Sequence, residues 1–150
     1  MPKSVITASR YHDFSYGHRV VGHENKCAQL HGHNGRVHFT VRAEHLDIVG
    51  RVLDFSAIKS CLCEWIEDHW DHKFLMWTRD PWQIDAMNAG DDLTGIVRVP
   101  FNPTAENMAD YLLHVVGPAT LPAGIVLQKV VMEETRKCCA SAELPAPPTP

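Results

Sequence analysis

The segment Cys27 to Asn34 reads Cys-Ala-Gln-Leu-His-Gly-His-Asn, a thiol followed by two imidazoles with one glycine between them. In extended backbone successive side chains alternate between faces, so His31 and His33 point the same way. Two imidazoles about 7 Å apart along one face can grip one metal ion. Gly32 leaves the backbone open to close approach by a ligand. Cys27 does not share that strand face automatically, but it is near enough to reach the same cavity. A catalytic zinc site takes three protein ligands and leaves one position for water or substrate. His18 would be the third imidazole, provided the strand it ends pairs antiparallel with the strand that His31 and His33 begin. Without that pairing the three are polar loop residues.

Other groups offer acid–base chemistry. Cys27 fits a nucleophile, a base or an inert small hydrophobe. Its neighbour Lys26 favours the thiolate. Asp71-His72 follows a helix, where a carboxylate can orient and charge an imidazole. The bland alternative is a solvated turn. Glu133 and Glu134 are adjacent near a strand end and so face opposite sides. The inward one needs a donor, because a buried carboxylate is costly alone. Cys61 lies on an apolar helix stripe and reads as core, and His69 reads as packing.

The whole chain bounds these options. Its 150 residues suit one domain, with 144–150 as a proline-rich disordered tail after a 1–143 unit. The net charge of −4 argues against a nucleic-acid partner. No apolar run approaches the roughly 20 residues of a membrane span, and Met1 to Arg10 lacks a signal-peptide core. The five cysteines form neither a Cys-x-x-Cys pair nor a disulfide framework, so free thiols in a reducing cytoplasm are expected.

The elements that must position the site follow from periodicity. Val5–Tyr16 reads as a strand ending near His18. Arg36–Leu46 alternates Val37, Phe39, Val41 and Ala43 with polar residues, the pattern of a sheet with one buried face. Ser56 to about His69 is an amphipathic helix, capped by Asp54 or Ser56. Phe74–Trp77 is a short apolar run, and Thr78–Thr94 a surface excursion without firm structure. Gly95–Val99 is a short strand. Thr104 caps a second helix that Gly117-Pro118 ends, and Gly124–Thr135 is the last strand. The expected fold is α+β: a mainly antiparallel sheet with two helices on one face.

Several segments then point one way: Phe14-Ser15-Tyr16-Gly17-His18, Lys26 to Asn34, Val52-Leu53-Asp54-Phe55, Asp71-His72 with Leu75, Pro103-Thr104-Ala105-Glu106-Asn107, and Glu134-Thr135. In register from about Phe14 to Thr135, they resemble the 6-pyruvoyl-tetrahydropterin synthase / 6-carboxytetrahydropterin synthase family. The resemblance implies a tunnelling fold (T-fold), in which small α+β subunits assemble around an axis. The implied assembly is a homohexamer with active sites between subunits. It implies that His18, His31 and His33 hold Zn2+ and that Cys27 is the catalytic base. Asp71 and His72 would complete the relay from a neighbouring subunit. Glu134 would anchor the pterin ring through its guanidine-like edge and join the relay, while Thr104 and Glu106 line the pocket. The implied substrate is 7,8-dihydroneopterin triphosphate. The favoured product is 6-carboxytetrahydropterin, for 7-deazapurine (queuosine-type) synthesis, with the pyruvoyl product as runner-up. Tyr16-Gly17 and Leu75-Met76 depart from the family pattern and affect pocket shape rather than chemistry. A non-catalytic zinc or pterin-binding module is the rival class. A structural zinc site closed by Cys27 is a third reading.

Overall fold

The computed structural model describes residues 4–90 and 94–147. Its centre is an antiparallel pair, β1 (Thr7–His18) and β2 (His31–Ala43). The register sets His18 opposite His31 and Tyr16 opposite His33. Phe14, Tyr16 and His18 of β1 are buried on the same face as Val37, Phe39 and Val41 of β2. That is the period-2 pattern expected for a sheet with one covered face.

On one side β1 pairs in parallel with β3 (Lys73–Trp77), and β3 with β4 (Ile96–Val99). On the other, β2 pairs antiparallel with β5 (Ile125–Glu133), and β5 with β6 (Cys139–Glu143). The sheet order is β4-β3-β1-β2-β5-β6. It is therefore mixed, with its antiparallel part holding the histidines. The parallel pairings follow from the crossover helices, because a parallel connection needs a long return path.

The first helix runs over 55–69, and Asp54 caps it by accepting from the Ser56 N–H. A wide π-type turn at Lys59–Cys63 rotates its apolar stripe, so Cys63 is buried while Cys61 is only half-buried. Cys61, read as core, packs against the core cluster from this half-buried position. The last helix runs over 105–120 under a Thr104 cap that accepts from the Asn107 N–H. It continues past Gly117-Pro118 to Thr120, beyond the expected stop. The π-type turn Leu112–Val116 precedes Pro118 and widens the coil where the proline ring would otherwise meet the carbonyl four residues back.

Ile58, Leu62, Ile66 and Trp70 of the first helical segment and Met108, Leu112 and Val116 of the last form one core cluster with the sheet. Part of the excursion is also ordered, as a helix at Pro81–Ala89. Leu144 is tied to β5: its N–H donates to Gln128 O and its carbonyl accepts from Gln128 Nε2. The remainder of the expected tail extends to Pro150, and 148–150 lie outside the described residues.

Gly35 shows how closely the site end of the sheet is packed. A Cβ there would lie 2.8 Å from both the Tyr16 ring and the Met132 methyl. Gly35→Ala is therefore expected to lower stability by about 1–3 kcal/mol through overpacking, read as a fall in the thermal midpoint.

Candidate metal centre and active site

The β1–β2 register carries three imidazoles to one end of the buried face. The ligand-capable nitrogens of His18, His31 and His33 all lie within 4.8 Å of one another. Their orientation is set by the backbone. His18 Nδ1–H donates to Pro103 O at 2.6 Å, and His31 Nδ1–H donates to Gln29 O at 2.7 Å. Both rings are thereby held in the tautomer that leaves Nε2 a bare acceptor. His18 Nε2 and His33 Nε2 are buried without a hydrogen bond. Buried acceptors this close together are costly without a partner and suit a cation. Burial, partly opposed by the Glu134 charge, pulls the His33 imidazole below its ordinary value, so it favours the neutral form that ligates.

Glu134 is the inward member of the glutamate pair. Its Oε1 lies 3.2 Å from His18 Nε2 and 3.5 Å from His33 Nε2. The neighbouring His18, with His33 and His31 adding to it, outweighs burial and holds its carboxyl below the usual range. Glu133 faces the other way and bonds His38 across the strands. The Cys138 carbonyl fixes the backbone of Glu134 by accepting its N–H at 3.0 Å.

Cys27 sits in a short 3-10 turn, Lys26–Ala28, and is half-buried. Its carbonyl accepts from the Val20 N–H at 2.9 Å, which folds the loop back onto the end of β1. Asn102 ties the same loop to the start of the last helix by bonding both backbone groups of Val21. The thiol is outside the three-imidazole cluster. Thr104 spends its hydroxyl on the helix cap, and Glu106 is exposed in the first turn.

Asp71 and His72 do pair, with His72 Nδ1–H donating to Asp71 Oδ2 at 2.6 Å. Asp71 Oδ1 accepts from the Ser15 N–H at 3.0 Å, and the His72 N–H donates to Ser15 O at 2.7 Å. His72 has φ of 58°, the one non-glycine residue with positive φ among those described. Such backbone strain is concentrated at functional sites. The His72 side chain is 78% exposed. Among the described residues no hydrogen bond or ion pair joins this pair to the three imidazoles. An open cleft of ≈ 580 Å³ has His33, Asn34, His72 and Phe74 among its lining.

Burial pushes the Asp71 carboxyl up, but the Ser15 N–H and His72 together hold it below its ordinary 3.8. Its stabilising effect is thus complete above the ordinary value and is lost as pH falls through the lower folded one. Asp71→Asn is expected to flatten this part of the acid-unfolding curve, measured by circular dichroism from pH 6 downward.

Two residues escaped the sequence reading. Tyr16 is 3% exposed, with its ring 5.2 Å from that of His18 and its hydroxyl unpartnered. Burial and the Glu134 charge push its phenol up. Asp80 is fully buried, 2.9 Å from Arg19, and anchors the excursion beside His18. It is one of four aspartates in the Thr78–Thr94 stretch, and nothing in the sequence singles it out.

The fold and the site define a T-fold protein with a three-histidine cradle at the end of its sheet. The family model for 6-pyruvoyl tetrahydropterin synthase matches residues 7–145. The chain is 33% identical to the 6-carboxy-5,6,7,8-tetrahydropterin synthase of Rickettsia typhi, over 89% of this chain and 97% of that one. It is also 33% identical to the same-named protein of Aquifex aeolicus, over 74% of this chain and 72% of that one. Among solved structures, an uncharacterized protein of Wolinella succinogenes superposes with a TM-score of 0.83 at 24% identity, covering 94% and 99% of the two chains. The 6-pyruvoyl tetrahydropterin synthase of Caenorhabditis elegans gives 0.64 at 22%, covering 95% and 97%. The chain belongs to the 6-pyruvoyl tetrahydropterin synthase family.

Proposed function

We propose that this protein is a zinc-dependent 6-carboxy-5,6,7,8-tetrahydropterin synthase. It converts 7,8-dihydroneopterin triphosphate with release of acetaldehyde and triphosphate, in 7-deazapurine (queuosine-type) synthesis. The observation that carries this reading is the convergence of His18, His31 and His33, with the Nε2 atoms of His18 and His33 buried and unpartnered. The identity with the Rickettsia typhi protein across nearly its whole length supports the carboxy product. No helix among the described residues is long and apolar enough to cross a membrane. All five cysteines are free, which suits a reducing cytoplasm.

His18, His31 and His33 would hold zinc, which when bound would supply the Lewis acidity that makes protons on the substrate's hydroxylated side chain easier to remove. Cys27, as thiolate, takes a carbon-bound proton there. Asp71 fixes the His72 ring by accepting its Nδ1–H, which leaves Nε2 free to pass protons. Glu134 binds the guanidine-like edge of the pterin, and Thr104 and Glu106 line the pocket mouth. The exposure of His72 and its lack of any bond to the cluster favour homo-oligomeric sites, where this pair serves a neighbouring copy. A homohexamer meets that need.

Zinc-loaded protein incubated with 7,8-dihydroneopterin triphosphate should yield 6-carboxytetrahydropterin, acetaldehyde and triphosphate by mass spectrometry. A pyruvoyl product would transfer the chain to the sister activity. Absence of turnover with metal bound would favour the binding module.

A further inference from the structure

The position of Glu134 is unusual for a group whose only task is to hold a pterin. Its Oε1 stands 3.2 and 3.5 Å from two of the nitrogens that would bind metal. Zinc–nitrogen bonds of about 2.0–2.1 Å and zinc–oxygen bonds of about 2.0–2.2 Å put ligand atoms about 3.3–3.5 Å apart at tetrahedral corners. Glu134 Oε1 is thus at a tetrahedral edge distance from both His18 Nε2 and His33 Nε2. Neither nitrogen has another hydrogen-bond partner. The Cys138 carbonyl anchors the Glu134 backbone at the β5–β6 turn, so the carboxylate reaches the cluster from a fixed point. Glu133, one residue earlier, is committed to His38 on the opposite face and cannot substitute.

We propose that Glu134 is a fourth metal ligand in the resting protein, closing the three-histidine site until substrate draws its carboxylate away. The second half of this statement rests on the function proposed above. A carboxylate cannot serve the metal and the guanidine-like edge of a pterin with the same oxygen at once. Arrival of the ring would therefore take Glu134 off the metal and open the fourth position when the side-chain hydroxyls need it. In the resting state the closed position keeps solvent and stray anions away from the metal. Glu134 then acts as a gate as well as an anchor.

The test reads metal directly. Full-length protein is loaded with cobalt(II), and its visible absorption is recorded for the native chain, Glu134→Ala, Glu134→Gln and Glu133→Ala. Zinc affinity is measured in parallel against a chromophoric chelator, with circular dichroism to confirm folding. The proposal predicts altered cobalt bands and zinc binding weakened on the order of 10–100-fold in both Glu134 variants. Glu133→Ala should match the native chain. Neopterin, which lacks the triphosphate, should shift the native cobalt bands and leave those of Glu134→Ala unshifted. Native-like bands and affinity in both Glu134 variants would overturn the ligand assignment. Bands that depend on Glu134 but ignore neopterin would overturn the gate. Neither result depends on turnover, so a failed activity assay would count only against the proposed reaction.

Discussion

His31→Ala is expected to remove stoichiometric metal and, with it, turnover. His31 is only partly buried, and its ring is held by a carbonyl two residues away, so its loss leaves the core intact. The two remaining imidazoles and a carboxylate make a poorer cradle. Changing even a partner behind a ligand costs about 10–100-fold in affinity or activity, and losing the ligand itself should exceed that. Metal analysis after dialysis, alongside the thermal midpoint of the metal-free protein, separates a lost ligand from a lost fold. An unchanged metal content would remove His31 from the site.

Cys27→Ala should do the opposite: keep the metal and stop the chemistry. The thiol is outside the imidazole cluster, in a loop pinned by Val20 and by the Asn102 bonds to Val21. None of those bonds uses the sulfur. A general base contributes typically 10²–10⁴-fold, so kcat should fall by about that factor while zinc content and melting stay at native values. Turnover near native would sink the assignment of Cys27 as base, and loss of metal would favour the reading in which it closes a structural site.

How much of this was legible beforehand depends on length and periodicity. The alternation of Val37, Phe39 and Val41 fixed β2 and its buried face, and the family-like segments led to the T-fold. The antiparallel partnership with β1 brought His18 opposite His31 as expected. Glu133 and Glu134 read as two opposed glutamates with one turned inward, and the structure turns Glu134 toward His18. The misses are short or locally irregular. β3 and β6 have five residues each, too few for a period to declare itself. The buried Cys63 depends on a π-type turn, which shifts the stripe and leaves no composition signal. The helix Pro81–Ala89 follows an Asp80 whose partner is 61 positions earlier in the chain, at Arg19. The pairing of Arg19 with a buried carboxylate makes it a brace, since opening such a pair leaves a charge stranded.

The hydrogen bond from His18 to Pro103 has a reach beyond chemistry. His18 ends the first strand, yet its ring is gripped by Pro103, which stands 85 residues later at the foot of the last helix. Any cation that seizes His18 together with His31 and His33 also fastens that distant turn to the first hairpin. The ion then works as a removable crosslink spanning more than half the chain. Because it binds only the assembled arrangement, each tenfold rise in free metal above its dissociation constant adds about 1.4 kcal/mol to stability. The protein's resistance to unfolding would thus follow the supply of that cation.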